Sequence, residues 1–151
     1  MGDEEPVFTT WKKRGEWVEM LFMARAAREG LQVSKPYGDS AAYDFIVESG
    51  ATCSRIQVKS TACRSYRGFT CCLKGGNNRE YEPNSFDFVA VHVIPASAWF
   101  IIPPNSVLGR CIFLRPGKED SKYHQYEEAW QLLKPPEQSE KVGTLLAFTH
   151  F

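Results

Sequence analysis

Apolar and polar positions alternate along this chain in two rhythms, and each rhythm predicts a different element. Residues 12–28 follow a helical period and are rich in Ala, Met and Leu, all good helix formers. Thr10 stands where an N-cap belongs and Gly30 where a helix C-terminus ends. Residues 31–34 read as a short strand, and residues 35–40, with Pro36 and Gly38, as a loop. Residues 43–48 and 54–61 read as two strands of a hairpin around Ser49-Gly50-Ala51. Period-two alternation puts Ile56 and Val58 on one face of the second strand and Arg55, Gln57 and Lys59 on the other. Residues 68–73, 86–94 and 99–102 are further strands, and residues 111–114 add an edge strand. Residues 121–133 carry Tyr123, Tyr126, Ala129, Trp130 and Leu133 at helical spacing, which predicts a second helix ended by Pro135-Pro136. The tail at 141–151 fits neither rhythm. Helix, strands, then helix is an α/β order, and 151 residues fit a single domain.

Four polar residues interrupt these apolar segments. Asp44 lies in Tyr43-Asp44-Phe45-Ile46-Val47, Gln57 and Lys59 in Ile56-Gln57-Val58-Lys59, and Glu19 is the only charge in residues 17–23. Charge in apolar surroundings is costly unless it meets a partner or a metal, so the four point to one shared polar site. The chemistry fits phosphodiester hydrolysis. Mg²⁺ takes hard oxygen ligands, and Asp44, the Gln57 side-chain carbonyl and the Val58 backbone carbonyl supply three. Lys59, on the Gln57 face, would orient the attacking water and offset charge on phosphorus. Glu19 would hold a water at the metal or pair with Lys59. Structural roles also fit these residues: a Glu19–Lys59 salt bridge from helix to sheet, a solvent-facing Asp44 and a functionally silent Gln57.

An Asp, a short hairpin and then an acid or Gln, any residue and Lys resembles the signature of the PD-(D/E)XK nuclease superfamily, here Asp44 followed by Gln57-Val58-Lys59. Gly15-Glu16-Trp17-Val18-Glu19, Gly30-Leu31-Gln32-Val33 and Gly38-Asp39-Ser40 look like that family's first helix and strand. Phe86-Asp87-Phe88-Val89-Ala90-Val91, Trp99-Phe100-Ile101-Ile102-Pro103 and the segment from Tyr123 to Trp130 are similar to the branch of group I intron homing endonucleases and Holliday-junction resolvase-like proteins. The resemblance implies a restriction-endonuclease-like α/β core, a central mixed sheet flanked by helices. It also implies a Mg²⁺- (or Mn²⁺-) dependent DNA endonuclease that leaves a 5′-phosphate. Asp44 matches the metal-binding Asp, Gln57 the second acidic position, Lys59 the catalytic Lys and Glu19 the first-helix Glu. Tyr43 replaces the Pro of the signature. Gln57 replaces an acid and removes one negative charge from the metal site, which leaves a second reading open: a fold relative that binds DNA or a protein without cutting. Cutting two strands implies two copies of one site, hence a homo-oligomer.

Charge and cysteine usage narrow the rest. Eighteen basic and eighteen acidic residues cancel, which disfavours coating nucleic acid by bulk charge. A local basic stretch with aromatics, Arg64, Arg67, Lys74 and Arg79 beside Tyr66 and Phe69, is the candidate DNA contact, although a solvated loop has the same composition. The acidic residues 1–6 lack the apolar core of a signal peptide, and no apolar run reaches the ~20 residues of a membrane span. The five cysteines are odd in number and have no zinc spacing, so free thiols and a cytoplasmic setting are expected. His92, on an apolar strand, is expected to be packed, and Asp87 to be a strand-end residue.

Overall fold

The computed structural model describes residues 7–136. The acidic start, the tail at 141–151 and His150 lie outside the described residues.

Helix α1 runs Trp11–Arg28. Thr10 caps it in extended conformation, its side chain accepting from the Lys13 N–H at 3.1 Å. At the other end Gly30 (φ 81°) turns the chain. The Gly30 N–H then reaches the Ala27 carbonyl and the Leu31 N–H the Ala26 carbonyl, both at 3.0 Å, the pairing of a Schellman end. Val18, Phe22 and Ala26, four apart, form its buried face. Met20 and Met23 are exposed, so the apolar run around Glu19 wraps the helix and only part of it is core.

Five strands make the central sheet: β1 (Gln32–Ser34), β2 (Phe45–Ser49), β3 (Thr52–Thr61), β6 (Phe88–Val93) and β7 (Ala98–Ile102), in the order β1-β2-β3-β6-β7. β3 pairs with β6 in parallel and the other pairs are antiparallel, so the sheet is mixed. Gly50 (φ 58°) opens the two-residue β2–β3 turn, where a positive φ matches the twist of the strands. The link from β3 to β6 carries β4 (Arg64–Ser65) and β5 (Gly68–Cys72), which join β8 (Cys111–Leu114) in a second sheet ordered β4-β5-β8. The edge strand expected at 111–114 therefore belongs to this second sheet.

The central sheet buries both faces. Toward α1, Phe22 packs with Phe45, Trp99 and Trp130 at ring separations of 5.3, 5.7 and 5.7 Å, with Ile56 and Val58 in the same cluster. Toward the second sheet, Val89, Val91, Phe100 and Ile102 meet Phe69, Cys71, Ile112 and Leu114. Each such side chain stabilises the fold by roughly 1.5–3 kcal/mol.

Two expectations are corrected. Residues 121–133 form no α-helix; they make two short 3₁₀ turns, His124–Tyr126 and Trp130–Leu133. The physical cause is the edge of β7. Glu128 (φ 51°) donates its N–H to the Trp99 carbonyl at 2.7 Å, and its carboxylate accepts from the Trp99 N–H and the Trp130 indole, both at 2.9 Å. Edge pairing pulls this segment extended, and Tyr, His and Trp are too weak as helix formers to resist. One α-helix thus flanks the central sheet on one face, among the described residues, and the second sheet covers the other. The cysteines are also not all free thiols. Cys72 and Cys111 are directly opposed on β5 and β8 and form a disulfide, while Cys53, Cys63 and Cys71 are free. The cytoplasmic expectation loses the support it drew from free thiols. No helix among the described residues is long and apolar enough to cross a membrane.

Candidate active site

The site arises where two paired strands differ in length. β3 has ten residues and β2 five, and their register ends at Phe45 opposite Ile56. The Asp44 N–H adds one more bond, to the Ile56 carbonyl at 2.8 Å. Beyond that point the backbone groups of Val58 project toward a strand that has already turned away. Asp44 fills the gap with its side chain: Oδ2 accepts from the Val58 N–H at 2.7 Å and from the Gln57 amide Nε2 at 2.9 Å. The same Nε2 lies 3.4 Å from the Val58 carbonyl oxygen. Two of the oxygens proposed as ligands therefore converge on one point, and a donor nitrogen stands there.

A pocket of about 140 Å³ encloses this point. Glu19 and Val18 of α1 line it with Asp44, Gln57, Val58, Lys59 and Ser60. All the residues predicted from the hairpin and the first helix are thus brought together. Burial, the largest effect, pushes the Asp44 carboxyl above the usual carboxylate range and nearby Glu19 adds to the rise; the Val58 N–H, Lys59 and Lys35 oppose it.

Lys59 and Glu19 do not pair with each other. The Lys59 ammonium donates to the Lys74 carbonyl at 3.0 Å and sits 5.4 Å from the Tyr81 ring centre. Glu19 is engaged by Lys35, Nζ to Oε2 at 2.5 Å. Lys35 escaped the sequence reading because one lysine in a Pro- and Gly-bearing loop gives no signal. Its presence balances the site: Glu19 and Asp44 against Lys35 and Lys59, with Gln57 neutral.

The basic stretch stands apart from the pocket. Arg64 stacks over Phe69 (5.2 Å) and Arg67 over Tyr66 (4.9 Å) on the exposed β4–β5 hairpin, and Lys74 contributes its carbonyl to Lys59. Arg79 is exposed, its carbonyl closing a turn onto the Gly75 N–H at 2.8 Å. Asp87 pairs with Arg55 and accepts from the Arg55 N–H at 2.7 Å, a structural role. His92 is buried between Trp17 and Trp99, and burial pushes its imidazole down to about 4. No group of three or more His, Cys, Asp or Glu among the described residues is placed to hold a metal ion.

A hard-oxygen ion nevertheless fits the Asp44 locus. Turning the Gln57 amide over would bring Oε1 beside the Asp44 and Val58 oxygens. Three oxygens at one point repel without a cation and bind one well.

A central mixed sheet, one helix packed on it and polar residues at the end of a hairpin define a restriction-endonuclease-like fold. The chain matches the PD-(D/E)XK endonuclease family over residues 9–133 and belongs to it. Among solved structures it is similar to a bacterial homing endonuclease, I-Ssp6803I, with 22% identity and a TM-score of 0.71 over 88% of this chain and 97% of that one. It is also matched, at 18% identity and a TM-score of 0.42 over 60% of this chain and 72% of that one, to Hjc of Archaeoglobus fulgidus, a Holliday junction resolvase from an archaeal hyperthermophile. The first likeness bears on the fold alone, and the second is too low to carry an argument. A search of curated protein sequences gives no match.

Proposed function

We propose that this protein is a Mg²⁺- (or Mn²⁺-) dependent DNA endonuclease whose site is the pocket at the end of the β2–β3 hairpin. The observation that carries the reading is the convergence of the Asp44 carboxylate and the Val58 carbonyl on the Gln57 amide, with Lys59 and Glu19 lining the same pocket. Asp44, the Val58 carbonyl and a turned Gln57 amide would hold the metal. A bound divalent ion would polarise the scissile phosphate and lower the pKa of water.

The chain's own residues do the rest. Asp44 is fixed by the Val58 N–H, so its free lone pairs keep one direction. Lys59 leaves the Lys74 carbonyl when phosphate arrives, because an ammonium bonds an anion more strongly than a neutral carbonyl. There it orients the attacking water and offsets the charge that builds on the phosphoryl oxygens. Glu19, once Lys35 releases it, would accept a hydrogen bond from a water at the metal. By family likeness the product carries a 5′-phosphate, and two copies act together on duplex DNA.

Gln57 in place of an acid, and Glu19 held by Lys35, favour one alternative: a family member that binds DNA or a protein and no longer cuts. Nicking of supercoiled plasmid in Mg²⁺ and in Mn²⁺ separates the two. The endonuclease reading expects nicking that Lys59→Ala reduces at least about a hundredfold, the scale of a lost charge-stabilising donor. Equal nicking by Lys59→Ala refutes the assignment. Binding of plasmid without nicking in either metal favours the alternative.

A further inference from the structure

The pocket does not end at Ser60. Lys59 and Ser60 also line a cavity of about 450 Å³ that passes over Ala62 and Cys63 to Trp11 and Arg14 at the start of α1. Trp11, Arg14 and Ala62 then line a further cavity of about 350 Å³. Shared walls make these one trough leading from the Asp44 site past the C-terminal end of β3. Among the described residues no Asp or Glu lines either cavity.

Two side chains in this trough are left ready for a ligand. Trp11 is 82% exposed, a large apolar surface given to water at the rim of a cleft. Arg14 is half-buried, donates Nε to Ser60 Oγ at 3.3 Å and lies 5.0 Å from the centre of the Trp11 ring. Among the described residues no carboxylate pairs with it. A guanidinium has five N–H donors, and burying a cation without an anion is costly. The cations that line the trough are Lys59 and Arg14, and the helical turn that carries Arg14 contains no acid. Interleaved cations and aromatics without acids are the pattern of a groove for a nucleic-acid strand.

We propose that this trough holds the DNA strand flanking the cleaved bond, with Arg14 on the phosphate next to the scissile one and Trp11 stacked on the nucleotide beyond. The proposal rests on the nuclease reading of the Asp44 pocket and gives that site its strand path. Arg14 is anchored on Ser60, the residue after Lys59 on β3, so a strand that passes Lys59 brings a neighbouring phosphate toward this guanidinium.

Fluorescence anisotropy tests this with a fluorescein-labelled mixed-sequence single strand and the matching duplex, in EDTA and in Ca²⁺, across a salt series. Arg14→Ala should weaken binding to both probes and lower the slope of log K against log salt by about 0.7 on the single strand and 0.9 on the duplex. Arg14→Lys should restore the slope. Trp11→Ala should weaken single-strand binding about five- to a hundredfold with the slope unchanged, and Trp11→Phe should retain most of it. Wild-type binding with Arg14→Ala and Trp11→Ala indistinguishable from it overturns the trough and leaves the nuclease reading standing. Competition by polyglutamate as strong as by DNA also overturns it, in favour of an acidic peptide. Failure of the wild type to bind either probe overturns both readings together. Thermal unfolding of each variant shows whether a loss of binding is a loss of fold, and a folded Arg14→Lys that fails to restore the slope counts against the proposal.

Discussion

Gln57→Glu tests the arrangement most directly, because it returns the negative charge that the family signature has at this position. In the wild type Gln57 Nε2 donates to Asp44 Oδ2 at 2.9 Å. A glutamate there would replace that bond with two carboxylates facing each other. At a relaxed separation of about 4 Å and an effective dielectric of about 20, two unit charges repel by about 4 kcal/mol. Lys59 and Lys35 reduce this, so it is an upper bound. A pair avoids such repulsion by keeping one proton, and 1.36 kcal/mol corresponds to one pH unit. Metal-free Gln57→Glu should therefore keep a shared proton at mildly acid pH and become less stable as pH rises toward neutral and the proton is lost. Addition of Mg²⁺ should displace that proton.

Titration calorimetry at mildly acid pH, in buffers of different ionisation heat, reads the proton release. The variant should release close to one proton per Mg²⁺, more than the wild type, and bind at least about tenfold tighter, a factor that corresponds to 1.4 kcal/mol. Thermal unfolding should show a variant destabilised without metal and recovered with it. A folded Gln57→Glu with wild-type metal affinity and wild-type proton release would refute the placement of the metal at the Asp44 locus. A silent wild type that gains nicking through Gln57→Glu would instead identify Gln57 as the cause of silence.

Three more outcomes follow from named contacts. Lys35→Met removes the cation that engages Glu19 and lies near Asp44; half-saturation of nicking should shift to lower Mg²⁺, and an unchanged metal dependence would count against a Lys35 role in the charge balance. His92, pushed down to about 4 by burial, stays neutral in the fold where the unfolded chain takes up a proton near 6.5. Its contribution is complete above pH 6.5 and is lost as pH falls toward 4, by at most about 3 kcal/mol. His92→Phe should flatten that limb of a urea-denaturation pH series. The Cys72–Cys111 bond closes a separation of 39 residues, for which chain entropy predicts about 4 kcal/mol. Reduction should lower the Tm accordingly, and thiol titration of the unreduced, denatured protein should find three free cysteines.

The hairpin was legible in the sequence because its signals are local. Gly50 marks the turn, Ile56 and Val58 alternate with Gln57 and Lys59, and register follows from the turn. α1 was legible for the same reason, with its period, cap and glycine all within one segment. The segment at 121–133 failed because its conformation is decided by β7, about 30 residues away, whose edge captures Glu128. Periodicity shows which residues are buried, and Tyr123, Trp130 and Leu133 are, without fixing the backbone that buries them. Lys35 and the Cys72–Cys111 bond were illegible because both depend on which loop or strand lies opposite, a tertiary fact. Glu19 lines the pocket, yet its apolar neighbours Met20 and Met23 face solvent, so the apolar run around it is not a mark of burial.

Gln57 acquires a physical rationale from the free edge of β3. The Val58 carbonyl there has a long 3.4 Å contact from the Gln57 amide, and an under-satisfied carbonyl in a polar pocket is costly. An amide side chain can answer that need in two ways. With nitrogen inward it donates to Asp44 and Val58 in the absence of a cation, and with oxygen inward it joins them around one. An ionised glutamate can do only the second, and without a cation it must keep a proton to avoid repelling Asp44. On the proposed metal site Gln57 both stabilises the metal-free fold and lowers metal affinity, so the two effects should appear with opposite sign in the Gln57→Glu variant. A change in stability without the opposite change in metal affinity would break that link.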